Sequence, residues 1–202
     1  MGKGFRPPEG GSADTAYLLE TGIQGDGKIM NIALIGFMGV GKTTVSHALG
    51  RRLGAEEIDV DKWIVEREGR PISEIFEKEG EMVFRDMESA AIKELSCKGD
   101  GRQGKILSCG GGAVLRASNV EALKSNGVIV LLTATPETVF GRIGRGHSRP
   151  VLEGNMNVPY IASLMEKRRP AYEAAADFAV TTDGKTPEQI AEEIEEKIRL
   201  FF

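Results

Sequence analysis

The sequence predicts an α/β fold in three layers, with a five-stranded parallel sheet between helices. From Asn31 onward, short apolar runs alternate with longer amphipathic segments, as in parallel strands connected by helices. The first apolar run leads through a glycine-rich loop into a helical segment. The chain has 202 residues, of which 41% are hydrophobic and 28% charged, and this suits one globular domain.

The elements of the first half follow from local signals. The run "NIALIG" predicts a buried strand, and a helix is expected over about 42–53 after the glycine-rich loop. A short strand then ends in "EEIDVD". Two or three helical stretches are predicted over 62–97, with breaks near 69–71 and at Gly80, because glycine and proline interrupt helices.

The second half begins with two strands, "KILSC" and "VIVLL", and the last strand is expected near "DFAVTT". Thr135 is expected to be the N-cap of a helix, with Pro136 in the first helical turn. Thr186 and Gln189 have the spacing of a capping box. The helix that follows is expected to place three apolar residues on one face: Ile190, Ile194 and Ile198.

Residues 1–29 differ in composition from residues 30–202, which form the predicted domain. They are rich in Gly, Pro and small polar residues and lack a sustained period, so we expect a disordered N-terminal extension. Its charges are balanced, unlike those of a transit peptide or a basic arm. An expression artefact, an upstream start and a remnant of a fused domain all fit, and Met30 could itself be the natural start.

The composition indicates that the binding partners are small molecules rather than membranes or nucleic acids. No apolar run approaches the ~20 residues of a membrane helix, and no signal peptide is evident, so we expect a cytoplasmic protein. Cys97 and Cys109 fit reduced thiols, and the separation of His47 from His147 disfavours structural zinc. A net charge of −4 argues against nucleic acid. A monomer is expected, because helix and sheet packing account for most apolar residues.

The stretch "GFMGVGKT" has the form G-x-x-x-x-G-K-[ST] and joins a strand to a helix. Gly36 and Gly41 let successive N–H groups converge on phosphate oxygens at the helix N-terminus. Lys42 would neutralise the β- and γ-phosphates, and the Thr43 hydroxyl would bind Mg²⁺. The loop therefore predicts binding of a nucleoside triphosphate, and ATP is the nucleotide we expect. The other residues expected to contact the nucleotide here are Gly39, Val40 and Thr44.

Two carboxylates follow the second strand. Asp59 and Asp61 stand two apart, and an extended strand would project both to the same side of the sheet. Ligands of open parallel sheets gather at the carboxyl ends of the strands, so one carboxylate could serve Mg²⁺ and the other a substrate hydroxyl. Alternatively, both are solvated acids that cap the helix beginning near Lys62.

Further candidates suit an anionic ligand. Gly110, Gly111 and Gly112 follow a strand directly and could let a ligand ring lie against the backbone, although such a triplet also fits a sharp turn. Arg85 in "EMVFRDME" and Arg168 in "LMEKRRP" are candidate anion ligands, although each alone also fits a solvated helix face.

A glycine-rich, basic segment predicts a lid over about 144–156. In "GRIGRGHSRPVLEGN", Arg142, Arg145 and Arg149 occur with no acidic residue before Glu153. Such a segment could close over ATP, exclude water and bring a guanidinium to the transferred phosphoryl group.

In combination, "GFMGVGKT", "DVD", "FRDME", "CGGGAV" and "LMEKRRPAY" resemble the shikimate kinases, small P-loop kinases of the nucleoside-monophosphate-kinase-like fold. The resemblance runs from about Asn31 to the C-terminus. It implies the sheet order 2-3-1-4-5 and an ATP- and Mg²⁺-dependent reaction. That reaction phosphorylates the 3-hydroxyl of shikimate, giving shikimate 3-phosphate and ADP, in the biosynthesis of chorismate and the aromatic amino acids.

The resemblance also implies roles at the acid substrate. Arg85 and Arg168 would bind the carboxylate of shikimate, with the three glycines of 110–112 beside the ring. Asp61 would anchor the attacking hydroxyl as a catalytic residue, and Asp59 would lie near hydrated Mg²⁺.

On the nucleotide side, the resemblance implies that Arg149 stabilises the transferred charge and that Arg142 lies along the adenine. Two positions depart from the family pattern. Cys109 stands where an aliphatic residue is usual, and Lys185 follows the last strand where an arginine is sometimes found.

Three alternatives remain open at the level of sequence. A kinase of the same fold acting on another sugar acid, such as gluconate, would use the same arginines. A GTPase-like switch protein lacks its N-K-x-D motif here and would leave Arg85, Arg168 and the triple glycine without a purpose. A non-catalytic relative is disfavoured, because no expected catalytic residue is missing.

Overall fold

The computed structural model describes residues 24–25, 28–97, 104–143 and 157–201. The predicted lid, with Arg145 and Arg149, lies outside the described residues, as does most of the predicted N-terminal extension. Within that extension, Gln24–Gly25 pairs with Lys28–Ile29 in a short antiparallel ladder. No helix in these ranges is both long enough and apolar enough to cross a membrane.

The main sheet has five parallel strands, which confirms the predicted fold class. In chain order they are β1 (Asn31–Ile35), β2 (Glu56–Asp59), β3 (Lys105–Ser108), β4 (Gly127–Thr133) and β5 (Phe178–Thr181). Their order in space is β2-β3-β1-β4-β5, as the resemblance implied. The central strand β1 is wholly buried and pairs with β3 and β4, so it lies at the centre of the hydrophobic core.

Seven α-helices flank the sheet in the described part of the chain. They are α1 (Lys42–Leu53), α2 (Val60–Glu68), α3 (Ile72–Ser96), α4 (Ala117–Lys124), α5 (Pro136–Ile143), α6 (Val158–Ala175) and α7 (Pro187–Phe201). Gly80 interrupts α3 at φ 84 and ψ 169, which confirms the predicted break there. A short 3₁₀ turn, Ala113–Leu115, follows β3.

The helix-start signals in the second half of the sequence are confirmed. The Thr138 backbone N–H donates to the Thr135 hydroxyl at the start of α5, at 3.3 Å. At the start of α7, the Gln189 N–H donates to the Thr186 hydroxyl (3.2 Å) and the Thr186 N–H donates to the Gln189 side chain (2.9 Å). This is the reciprocal pattern of a capping box, and it starts α7 with its isoleucines buried in the core.

All five strands run in the same direction, so their carboxyl ends meet at one edge of the sheet. The segments that follow β1, β2 and β3 therefore lie side by side. At this edge are the glycine-rich motif, the two aspartates and the triple glycine that the sequence singled out. The topology thus gathers the candidate residues at the edge where open α/β sheets bind ligands.

Candidate active site

The glycine-rich loop spans the turn from β1 into α1. Gly36, Gly39 and Gly41 have φ values of 139°, 78° and 101°, a region that side-chain-bearing residues rarely occupy. A Cβ at Gly36 would also overlap the carbonyl oxygen of Leu132 on the neighbouring strand β4. The loop therefore needs glycine both for its backbone angles and for its close contact with the sheet.

The Lys42 ammonium lies across this loop. Its Nζ donates to the carbonyl oxygens of Gly36 (2.9 Å) and Phe37 (3.0 Å). The N-cap of α1 is Gly41, no side chain caps it, and its first turn carries no acidic residue. The N-terminal end of α1 and the Lys42 charge therefore form an anion site of the kind that binds phosphate.

Asp59 bridges the loop and the second strand. The Thr43 hydroxyl donates to Asp59 Oδ2 at 3.0 Å, and the Lys62 backbone N–H donates to Asp59 Oδ1 at 3.2 Å. The capping interpretation of Asp59 is therefore correct, and the same carboxylate also lies beside Thr43. A hydroxyl and a carboxylate in contact at a phosphate-binding loop are the oxygen ligands that Mg²⁺ prefers.

The prediction that Asp59 and Asp61 project from one strand is wrong. β2 ends at Asp59, and α2 begins at Val60, so Asp61 lies in the first helical turn. The alternation of side chains holds only while the backbone stays extended, and Asp59 ends it by acting as an N-cap. Asp61 nevertheless lines the same pocket as Asp59.

The triple glycine brings the acid-substrate candidates together. A Cβ at Gly110 would lie 2.9 Å from Asp61 Oδ1, and a Cβ at Gly112 would overlap the Arg85 guanidinium. A Cβ at Gly111 would lie 3.7 Å from Arg168 Nη1. Each glycine thus faces a different predicted residue, and side chains at 110 or 112 would displace those groups.

Sequence reasoning missed Glu88, which is fully buried beside this loop. Arg85 Nη1 donates to Glu88 Oε2 at 2.8 Å, and a Cβ at Gly110 would lie 2.8 Å from Glu88 Oε1. Burial raises the pKa of Glu88, the Arg85 charge opposes this rise, and Asp61 adds to it. The spacing from Arg85 to Glu88, one helical turn in "FRDME", was the available signal.

Replacing Arg85 by methionine is expected to destabilise the fold more as pH rises. The pKa of Glu88 is raised in the folded state, so the protonated side chain favours folding fully below its unfolded pKa, and this stabilisation is lost as pH rises through the folded pKa. Without the Arg85 charge, the ionised Glu88 is buried without its partner, and the free energy of unfolding falls by about 3 kcal/mol at neutral pH. Thermal unfolding at about pH 5 and about pH 8 measures it. Glu88→Gln in the Arg85→Met background should remove the pH dependence, and an equal loss at both pH values would contradict the pairing.

The nucleotide side is organised around Arg142 on α5. Its Nη1 donates to the Val40 carbonyl (3.0 Å) and the Thr182 hydroxyl (2.9 Å), and its Nη2 donates to the Thr182 carbonyl (3.2 Å). Lys185 pairs with Glu193 at 2.5 Å on the same side. Arg142 therefore ties the glycine-rich loop to the segment after β5.

One pocket of about 740 Å³ connects these parts. It is lined by Gly39, Val40, Gly41, Lys42, Thr43 and Thr44 from the loop and α1, by Asp59 and Asp61, by Gly110 and Gly111, and by Arg142, Thr182 and Lys185. Arg85 and Arg168 approach it through the triple glycine. The pocket thus joins the glycine-rich loop to the first two glycines of the triplet.

The described residues contain no cluster of three or more His, Cys, Asp or Glu that could hold a metal ion. Mg²⁺ does not need such a cluster, because it keeps several waters and uses substrate phosphates as ligands. Burial raises the pKa of Cys109 to about 12, so this thiol packs as a neutral side chain beside the pocket.

A phosphate-binding loop with two arginines beside the neighbouring triple glycine is the arrangement of a P-loop kinase for a small anionic molecule. A switch protein has no use for these arginines. The sequence model of the shikimate kinase family matches residues 38–199. The chain belongs to the shikimate kinase family.

Relatives with this name cover most of the chain. Shikimate kinase of Thermodesulfovibrio yellowstonii is 43% identical over 164 residues, 81% of this chain and 92% of the relative. Shikimate kinase of Geobacter sulfurreducens is 41% identical over 177 residues, 88% and 94% of the two chains. The structure of shikimate kinase from Acinetobacter baumannii in complex with shikimate matches with a TM-score of 0.77 and 34% identity, over 85% of this chain and 94% of that one.

Proposed function

We propose that this pocket carries out the shikimate kinase reaction, transfer of the γ-phosphoryl group of ATP to the 3-hydroxyl of shikimate. The products are shikimate 3-phosphate and ADP, a step of aromatic amino acid biosynthesis. The observation that carries the proposal is the triple glycine, against which Asp61, Arg85 and Arg168 lie next to the phosphate-binding loop. This arrangement offers two cations for a carboxylate and one acceptor for a hydroxyl.

At the acid end, Arg85 and Arg168 bind the shikimate carboxylate, and Asp61 accepts a hydrogen bond from the reacting hydroxyl. Glu88 holds the Arg85 guanidinium by a buried ion pair and so limits the directions in which it can donate. Because the backbone at 110–112 has no side chains, the ring of the acid can lie against it. Orientation of the hydroxyl towards the phosphate is then the main contribution of this end.

At the nucleotide end, Lys42 and the backbone N–H groups of 39–44 bind the phosphates of ATP. Thr43 and Asp59 hold hydrated Mg²⁺, which neutralises phosphate charge. Arg142, already oriented by Val40 and Thr182, lies along the adenine. Arg149 as the lid arginine, the cytoplasmic location and the monomeric state stay predictions.

Replacing Asp61 by asparagine is expected to lower kcat by roughly 10²-fold to 10³-fold, the effect expected when a carboxylate that orients or deprotonates the reacting hydroxyl is lost. The KM for ATP should not change, because Asp59 and the loop are intact. Steady-state ADP release with shikimate measures both constants, and Asp86→Asn, an exposed carboxylate on α3, is the matched control. A kcat within about threefold of the wild-type value would remove Asp61 from the chemical step.

A further inference from the structure

The carbonyl oxygen of Gly111 accepts two donors from α6. The Tyr172 hydroxyl donates at 2.5 Å, and Arg168 Nη1 donates at 3.5 Å. The two donors are four residues apart and therefore lie on one face of the helix. The middle glycine of the substrate loop is thus held by a buried phenol and approached by the arginine assigned to the acid.

The two hydrogen bonds differ in length by about 1 Å. Tyr172 is 5% exposed, and its bond has the short length of a strong O–H···O contact. The Arg168 bond is at the outer limit of hydrogen-bond distance. The Arg168 guanidinium carbon also lies 5.8 Å from the centre of the Phe37 ring, within range of a cation–π contact. Tyr172 therefore takes the better position on the carbonyl, and its side chain is itself in hydrogen-bond contact with Arg168.

We propose that Tyr172 is a positioning residue for the acid substrate. By occupying the Gly111 carbonyl, its hydroxyl prevents Arg168 from closing onto that carbonyl, so the Arg168 guanidinium stays directed at the carboxylate of the substrate. Burial raises the pKa of Tyr172, so the hydroxyl remains a donor at neutral pH. The inference rests on the proposed function of Arg168.

Tyr172→Phe removes the hydroxyl and keeps the buried ring, so the fold is retained. We expect the KM for shikimate to rise about tenfold, while kcat and the KM for ATP change less than about twofold, as for a loss of ground-state binding. Tyr160→Phe is the matched control, because Tyr160 is a half-exposed tyrosine on the same helix. A purely structural role would lower the unfolding temperature without this separation of the two KM values.

A double-mutant cycle with Arg168→Ala tests whether Tyr172 acts through Arg168. In the Arg168→Ala background, Tyr172→Phe should leave the KM for shikimate unchanged. An equal rise in both backgrounds, or no rise in the wild-type background, overturns the inference while the proposed function stands. If Arg168→Ala itself leaves the KM for shikimate unchanged, the proposed acid site is wrong, and the inference is overturned with it.

Discussion

Lys42→Ala is expected to abolish measurable phosphoryl transfer, with a fall in kcat of at least about 10³-fold. The ammonium lies across the mouth of the glycine-rich loop, 2.9 Å from the Gly36 carbonyl and 3.0 Å from that of Phe37. From there the ammonium can reach the phosphates. The alanine variant lacks this cation, so the negative charge of the phosphates is not neutralised during phosphoryl transfer. ADP release at saturating ATP and shikimate measures the effect.

Lys93→Ala is the matched control, because Lys93 is an exposed lysine far along α3 and lines no part of the site. It should keep wild-type kcat and KM. If Lys42→Ala kept kcat within about tenfold of wild type, the loop would bind nucleotide without stabilising the transferred charge.

Arg168→Ala should raise the KM for shikimate by about 10²-fold, the effect expected for a lost charge-assisted bond to a carboxylate. The KM for ATP should stay unchanged, because the residue approaches Gly111 rather than the nucleotide end. Steady-state kinetics with each substrate varied in turn separates the two constants.

The neighbouring arginine provides the control. Arg169 is exposed and pairs with Glu166 at 2.5 Å, so Arg169→Ala removes the same charge from the same helix turn without touching the pocket. A rise in the KM for ATP in Arg168→Ala, or equal effects of the two variants on the KM for shikimate, would show that the acid pocket is misplaced.

Features encoded within a few residues could be predicted from the sequence. The glycine-rich loop needs fixed spacing between Gly36, Gly41 and Lys42, and the capping box at Thr186 needs only its partner three residues on. The breaks before α3 and at Gly80 follow from backbone properties of proline and glycine. The order of the strands is non-local, and it came from the family resemblance rather than from the pattern.

Features that depend on packing could not be predicted in this way. Glu88 lies beside Gly110, 22 positions away, and Tyr172 bonds to Gly111, 61 positions away. The helical spacing from Arg85 to Glu88 indicates an ion pair but not its burial, and no local pattern distinguishes Tyr172 from an ordinary helix residue. Asp61 was assigned to the site on a mistaken geometry, because the helix begins one residue after Asp59. It lines the pocket because α2 starts at the carboxyl end of the sheet.

The most direct test of the central claim is ADP release from Mg-ATP, with shikimate and then with gluconate as the acceptor. Release that requires shikimate, does not occur with gluconate and yields shikimate 3-phosphate in equal amount is the predicted result. Release that is independent of shikimate, or that is faster with gluconate, would contradict the assignment of Asp61, Arg85 and Arg168 to a shikimate site.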